Sequence, residues 1–270
     1  MSFSRIWPLY LFVLLGALHL GKTQGLNNLY GIENIHMVSD LNDIVNIKDL
    51  QKRAVFYTRD CDELYKLGHT KSGLYVIRPK GSPKLVVQCY MYDCNGWTVI
   101  QRNSFNTEIT WSNAWKTYKY GFGNIESDHW LGNKYIHLLT SQKWNKVRII
   151  LTDANNKSKH AEYDSFYIKG EDDNYQLRLG AYSGTAGDSL SNGTLKNMHD
   201  NMRFSAHDND NDRSHNIKCA DQFGGGWWYD ACYDSQLNRE TGIHWQTLCD
   251  HNCQTSLILI KPAHMYCHRA

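Results

Sequence analysis

The feature that most constrains the fold is a set of eight cysteines, all beyond residue 60, in a chain that starts with an apolar leader. Ser4 and Arg5 form a short basic start, and residues 6–20 are almost wholly apolar. This arrangement predicts a secretory signal peptide at residues 1–24. A membrane anchor is the alternative, but it needs roughly 20 apolar residues. Because export leads to an oxidising compartment, we interpret the cysteines first as disulfides.

The composition indicates a folded extracellular binding protein. Of 270 residues, 41% are hydrophobic, four are proline, nine are tryptophan and 17 are tyrosine. Such a chain can bury the core of one large domain or two small ones. The formal net charge is +2, so bulk charge gives no reason to expect nucleic-acid binding. No stretch after the leader is apolar enough to span a bilayer, so we expect a secreted protein without membrane insertion.

Motifs of the common enzyme classes are absent from the sequence. It contains no Gly-x-Ser-x-Gly elbow, no His-Glu-x-x-His, no phosphate-binding loop and no dinucleotide fingerprint. The three glycines at 224–226 precede Trp227 and Trp228, whose bulk would block the approach of a phosphate. We therefore expect no catalytic activity and interpret both tryptophans as core residues.

The composition and the hydrophobic pattern of the chain change at Cys61. Residues 25–60 contain neither cysteine nor tryptophan, and apolar residues between 38 and 50 recur near helical spacing. This predicts one short helix, far below the length of a coiled-coil stalk. Strands are predicted at 74–77, 85–90, 97–100 and 147–151, a turn at 79–83, helices at 111–120 and 130–139, and long loops from 180 to 232.

Two polar segments carry candidate surface sites. Asn156 and Asn192 begin Asn-x-Ser/Thr triplets, and we expect both to be glycosylated. Asp208, Asp210 and Asp212 alternate with asparagines, and alternate carboxylates on a tight loop can converge on Ca²⁺. Taken alone, this pattern is more typical of a solvated acidic loop.

Six segments, in order, resemble the fibrinogen C-terminal domain family. They are Cys-Asp-Glu-Leu at 61–64, Gly-Trp-Thr-Val-Ile-Gln-Arg at 96–102, Gly-Phe-Gly-Asn at 121–124, His-Trp-Leu-Gly-Asn at 129–133, Asp-Asn-Asp-Asn-Asp at 208–212 and Gly-Gly-Gly-Trp-Trp at 224–228. The resemblance implies an α+β fold with a small N-terminal subdomain, a central mixed sheet and a loop-rich C-terminal subdomain. It implies one domain of this kind at 61–263, followed by a tail at 264–270. It also implies a non-catalytic, extracellular recognition function.

The resemblance favours the calcium interpretation of the acidic loop. By position, Asp210 and Asp212 would supply side-chain oxygens to Ca²⁺, and Ser214 and Asn216 would supply backbone carbonyls. His215 is the alternative to Asn216, because the spacing to the next cysteine is one residue longer than in some relatives. The implied role of the ion is structural: it holds the loop beside the ligand pocket.

The resemblance also implies two disulfides, Cys61–Cys89 and Cys219–Cys232. It does not place the other four cysteines, which are Cys94, Cys249, Cys253 and Cys267. They allow two further bridges in three connectivities, or a bridge to a second chain that would give a disulfide-linked oligomer. A zinc site is a further alternative, since His251, His264 and His268 lie near them in the sequence.

In acetyl-binding members of the family, aromatic rings hold a methyl group while a backbone N–H binds the carbonyl oxygen. That N–H is turned toward the ligand by a cis peptide bond, which by position would be Ala231–Cys232. The pocket would be lined by Phe223, Tyr233 and His244. Tyr233 stands where histidine is usual, and His244 stands where tyrosine is common.

A deletion alters one wall of this pocket. The family has a long Gly- and Tyr-rich loop where residues 239–241 lead directly to Gly-Ile-His-Trp at 242–245. The missing loop carries an aspartate that holds a peptide amino terminus in fibrinogen, and Phe223 stands where fibrinogen's gamma chain has another. We therefore expect no capture of a fibrin-type knob. The remaining hypotheses are lectin-like binding of acetylated glycans, a protein ligand for a cell-surface receptor, and an extracellular structural partner.

Overall fold

The computed structural model describes residues 57–263 and, in addition, the backbone of a two-residue strand, β1, at Ile35–His36. The predicted signal peptide, the predicted helix at 38–50 and the tail at 264–270 lie outside the described residues. Among the described helices, none combines the length and hydropathy needed to cross a membrane.

The first structural unit is a short helix packed on a hairpin. Helix α1 (Cys61–Lys66) begins after Asp60, whose carboxylate accepts a hydrogen bond from the Glu63 N–H and so caps the helix. Strands β2 (Gly73–Ile77) and β3 (Leu85–Tyr92) pair antiparallel around the predicted turn. The Cys61–Cys89 disulfide joins α1 to β3 and confirms the first framework pair.

An eleven-stranded sheet forms the centre of the molecule. Its middle strands are β4 (Asn95–Ser104), β14 (Thr255–Pro262), β7 (Asn145–Thr152) and β8 (Ser158–Ile168). Strand β14 lies between β4 and β7 and is antiparallel to both. The sheet also includes β1, β2 and β3, together with β5 (Phe122–Asn124), β6 (His129–Trp130), β9 (Leu177–Leu179) and β10 (Tyr182–Gly184). Strand β1 pairs parallel to β5, so the sheet is mixed, as the resemblance implies.

Two helices begin later than the sequence pattern predicted. Helix α2 (Trp115–Tyr120) starts where the Trp115 N–H donates to Asp208 Oδ1 at 2.6 Å, and Trp111 lies outside it. Helix α3 (Asn133–Ser141) follows Gly132, which has a φ of 110°. Residue 130 is not helical, since it pairs with β4 as part of β6. The predicted start of each helix was therefore wrong by about one turn.

Aromatic side chains pack the C-terminal loops against the sheet. The ring of Phe204 lies 5.1 Å from Tyr118, 5.9 Å from Trp130 and 5.3 Å from Trp228, centroid to centroid. Trp227 and Trp228 are only 1% and 2% exposed, which confirms them as core residues. Such ring contacts bury large apolar areas and fix the relative orientation of the segments they join.

A small second sheet follows the aromatic core. Strands β11 (Ser235–Gln236), β12 (Ile243–Trp245) and β13 (Cys249–Cys253) pair antiparallel in chain order. A disulfide joins Cys249 to Cys253, and Cys94 is also disulfide-bonded. A zinc site built on the Cys249 and Cys253 thiolates is therefore wrong, because a disulfide sulfur is not a thiolate ligand.

Candidate recognition site

Buried amides of β4 hold the segment that starts the second sheet. Gln101 Nε2 donates to the Leu237 carbonyl at 3.1 Å, and Asn103 Nδ2 donates to the same carbonyl at 2.8 Å. Asn103 Nδ2 also donates to the Arg239 carbonyl at 2.7 Å, while Asn103 Oδ1 accepts from Trp111 Nε1 at 3.0 Å. The Asn103 amide thus satisfies polar atoms of the shortened segment inside the core.

The acidic loop is tied to the next helix through Asp212. Its Oδ1 accepts from the Ser214 N–H at 2.8 Å, and its Oδ2 accepts from the Cys219 N–H at 2.7 Å. Cys219 starts helix α4 (Cys219–Phe223), and the Cys219–Cys232 disulfide confirms the second framework pair. Asp210 Oδ1 in turn accepts from the Asp212 N–H at 3.2 Å. The acidic loop is therefore linked to Phe223 through α4, and to the segment of Tyr233 through the Cys219–Cys232 disulfide.

The chemistry of this loop suits a hard cation. Burial, and then the Asp210 carboxylate, raise the pKa of Asp212, although the N–H groups of Cys219 and Ser214 act in the opposite direction. Among the described residues, neither aspartate has a basic ion-pair partner, and no hydrogen bond ends on the carbonyl of Ser214 or Asn216. Carboxylate and carbonyl oxygens are the ligands that Ca²⁺ prefers, so the residues present fit this ion.

The structure brings together the three ring side chains that the resemblance placed in the pocket. The Phe223 and Tyr233 rings meet edge to face, with centroids 5.0 Å apart and planes at 83°. Tyr233 meets His244 in the same manner, at 5.5 Å and 74°. Phe223 and Tyr233 are partly buried, whereas His244 is 3% exposed. Burial first, and the neighbouring His251 next, lower the pKa of His244 to about 4, so its imidazole is neutral at physiological pH.

A backbone donor accompanies these rings. The Ala231–Cys232 peptide bond is cis, as the resemblance implied. The Ala231 N–H donates to Asn197 Oδ1 at 3.3 Å, and the Cys232 carbonyl accepts from the Asp230 N–H at 2.7 Å. Within residues 57–263, the Cys232 N–H has no hydrogen-bond acceptor. An unpaired donor therefore directly precedes Tyr233.

Three further side chains surround the cluster, and sequence reasoning did not place them there. Arg239 Nη1 donates to Tyr233 Oη at 2.9 Å. The His251 ring stacks on His244 with centroids 4.3 Å apart, and Asp250 Oδ1 lies 3.2 Å from His244 Nδ1. A connection of only six residues, 237–242, joins β11 to β12 and carries Arg239, while Asp250 and His251 lie on β13, which pairs with β12. The short Cys-Asp-His-Asn-Cys segment at 249–253 was the available sequence signal.

Two cavities bear on the location of the site. A cleft of about 170 Å³ lies beside Phe223, with Arg239, Glu240 and Thr241 of the shortened connection among its lining residues. A larger groove of about 660 Å³ lies between α3 and β8 and shares no lining residue with the ring cluster. No residue that lines the larger groove was predicted to belong to a functional site, whereas the cleft adjoins the predicted pocket.

The two sequons lie on turns. Asn156 is exposed between β7 and β8, with a φ of 58°. Asn192 is partly exposed, and its Oδ1 accepts from Thr194 Oγ1 at 2.8 Å. Glycosylation of these residues stays a prediction.

Comparison with known families decides the identity of the fold. Residues 57–257 match the family described as fibrinogen beta and gamma chains, C-terminal globular domain. The chain belongs to this family. It is 46% identical over 193 residues to a fibrinogen-like protein 1-like protein of Gallus gallus, covering 70% of this chain and 67% of the relative.

Further relatives agree with this assignment. Techylectin-5A of Tachypleus tridentatus is 43% identical, and the match covers 66% of this chain and 61% of that protein, less than two thirds of its length. The solved fibrinogen-like globe domain of human ANGPTL6 is 32% identical, with a TM-score of 0.70, covering 78% of this chain and all of that chain. The α+β fold implied by the resemblance is thereby confirmed.

The Asn103 amide should contribute strongly to stability. Replacing Asn103 with alanine leaves the buried Trp111 indole N–H and the partly buried Arg239 carbonyl unpaired, so we expect a loss of about 3 kcal/mol in the free energy of unfolding. Denaturant unfolding of the oxidised protein measures it. The matched control is Asn113→Ala, which removes only an exposed local bond to the Thr110 carbonyl. Equal stabilities of the two variants would contradict the role given to Asn103.

Proposed function

We propose that this chain is a secreted, non-catalytic recognition protein that binds an acetylated group, such as an N-acetyl sugar of a glycan. The binding site consists of the Phe223, Tyr233 and His244 rings with the Cys232 N–H. The observation that supports it is the cluster formed by the partly exposed Phe223 and Tyr233 rings and the buried His244 ring, next to an unpaired backbone donor. The methyl group of an acetamide can pack on the ring surfaces while its carbonyl oxygen accepts a hydrogen bond from the Cys232 N–H.

A second candidate is a protein ligand for a cell-surface receptor. The matched relatives include both a techylectin and angiopoietin-related protein 6. In addition, Arg239 donates a hydrogen bond to the Tyr233 hydroxyl. Its positive charge lies in the wall of the pocket where we expect the family's long loop to be missing. A charged, reshaped rim favours a peptide surface over a small neutral sugar.

Ca²⁺ is proposed as a structural ion of the acidic loop. Asp210 and Asp212 would hold it with their carboxylates, and Ser214 and Asn216 with their carbonyls. When bound, the ion would supply positive charge to two crowded carboxylates that have no basic partner in the described chain. Because Asp212 is bonded to the first residue of α4, a fixed loop would also fix Phe223 at the end of that helix.

The calcium proposal predicts a stability change that depends on Asp212. We expect saturating Ca²⁺ to raise the melting temperature of the wild-type protein, since an ion at 100 times its dissociation constant contributes about 2.7 kcal/mol. The Asp212→Asn variant should lose this shift. Asp172→Asn, at an exposed aspartate of the short 3-10 helix Glu171–Asp173, should keep it. Wild-type protein without any shift, or Asp212→Asn protein with the full shift, would contradict the proposal.

The acetyl-binding proposal is tested by retention on an acetylated resin. We expect the secreted protein to be retained in Ca²⁺ and released by free N-acetylglucosamine. Phe223→Ala removes one ring and should reduce retention at least about tenfold, the effect of losing roughly 1.4 kcal/mol of contact. The control is Phe105→Ala, an exposed phenylalanine outside the cluster. Flow-through of folded wild-type protein would overturn this proposal and favour the receptor-ligand hypothesis.

A further inference from the structure

The hairpin of β12 and β13 carries three metal-ligating side chains that the proposed function does not need as ligands. They are His244, Asp250 and His251, and one ligand atom from each lies within 4.8 Å of the others. Asp250 Oδ1 is 3.2 Å from His244 Nδ1 and 3.4 Å from His251 Nε2. Tetrahedral zinc, with bonds of about 2.0–2.2 Å, sets its ligand atoms roughly 3.3–3.5 Å apart. Two of the three separations already lie close to that range.

The backbone that presents these groups is tightly constrained. Cys249 and Cys253 are buried, and their disulfide closes a short loop around Asp250 and His251. Cys253 pairs with Ile243 and Cys249 pairs with Trp245, so His244 lies opposite this loop. Metal sites on rigid elements lose little conformational freedom when the ion binds. The geometry therefore needs only small side-chain adjustments.

The histidine hydrogen bonds also suit a metal. His251 Nδ1 lies 3.4 Å from the Gly242 carbonyl, so a proton on Nδ1 can donate there and leave Nε2 free to bind an ion. Arg239 Nη1 lies 3.2 Å from the same Nδ1 and can only donate, so this contact must open before Nδ1 carries the proton. Arg239 then keeps its bond to Tyr233 Oη. His244 Nδ1 accepts from the His251 N–H at 3.2 Å, which shows a lone pair directed toward this side of the ring. A metal ion would bind to this lone pair, and the His251 N–H would then donate to water instead.

We propose that His244, Asp250 and His251 form a zinc-binding site, separate from the acidic loop. Two imidazoles with one carboxylate favour Zn²⁺ over Ca²⁺, which prefers oxygen ligands alone. The side chains of Asp250 and His251 are 77% and 45% exposed, so the fourth position of the ion is open to water or to a ligand atom of a partner. The site does not rest on the glycan-binding proposal, and no thiolate takes part in it.

Equilibrium dialysis of the full-length secreted protein against Zn²⁺, with Ca²⁺ present throughout, tests the site. We compare wild type with His251→Gln and, as a matched control, with His69→Gln, a partly exposed histidine on the N-terminal subdomain. The expected result is a Zn²⁺ affinity at least about tenfold lower for His251→Gln and unchanged for His69→Gln. Each variant lacks one histidine, so the comparison with His69→Gln accounts for the loss of a single imidazole, and the other histidines are common to all samples. Equal affinities of wild type and His251→Gln would overturn the proposal.

Cobalt provides a second readout that is independent of overall affinity. Co²⁺ bound at this site should give visible absorption bands that Zn²⁺ abolishes by displacement. Asp250→Asn alters an exposed side chain, so the variant should fold and lose these bands. Absence of the bands in the wild type, or bands in Asp250→Asn equal to those of the wild type, would show that the three residues form only an ion pair between protein groups.

Discussion

The Asn103 amide is the interaction on which the geometry of the C-terminal subdomain depends. Its side chain is fully buried and donates to the carbonyls of Leu237 and Arg239, on either side of Asn238. Asn238 Nδ2 in turn donates to the Gly226 carbonyl at 3.0 Å. A Cβ on Gly225 would lie 1.8 Å from the Asn238 carbonyl oxygen, so only glycine permits this approach. One central strand therefore sets the position of both the glycine-tryptophan segment and the shortened connection.

The site is assembled from loops that are held at both ends. Asp212 binds the start of α4, the Cys219–Cys232 disulfide joins α4 to the segment before Tyr233, and β12 brings His244 against that ring. Buried hydrogen bonds and covalent links of this kind replace the regular ladders that these loops lack. These contacts hold the ring surfaces and the unpaired Cys232 N–H in a fixed relative position without long helices or strands.

The sequence predicted some of the strands that have strong local signals. Runs of β-branched residues indicated β2, β3, β4 and β7, and the resemblance implied both framework disulfides. The central strand β14 (Thr255–Pro262) was missed although it contains a Leu-Ile-Leu-Ile run. The longest of the described strands, β8 (Ser158–Ile168), was also missed; it is rich in charged and polar residues, and several of its side chains are exposed. Such half-solvated strands carry little hydrophobic periodicity.

The rest of the site depends on contacts between distant segments. The Cys249–Cys253 pairing could not be chosen among three connectivities, since cysteine spacing alone does not fix it. Arg239, Asp250 and His251 lie on segments that approach the ring cluster only through the pairing of β11, β12 and β13. The positions of Phe223, Tyr233 and His244, by contrast, were predicted from the resemblance, and the structure brings them together. Their function as a binding site stays a prediction.

Saturation-transfer NMR with N-acetylglucosamine tests acetyl binding at the ring cluster, because it reports which ligand protons touch the protein. We expect the acetyl methyl protons to receive the strongest transfer, through contact with the aromatic rings, and Phe223→Ala to reduce it selectively. No transfer from folded, calcium-loaded protein would contradict acetyl binding at this cluster. Transfer concentrated on the sugar ring protons and unaffected by Phe223→Ala would contradict it as well.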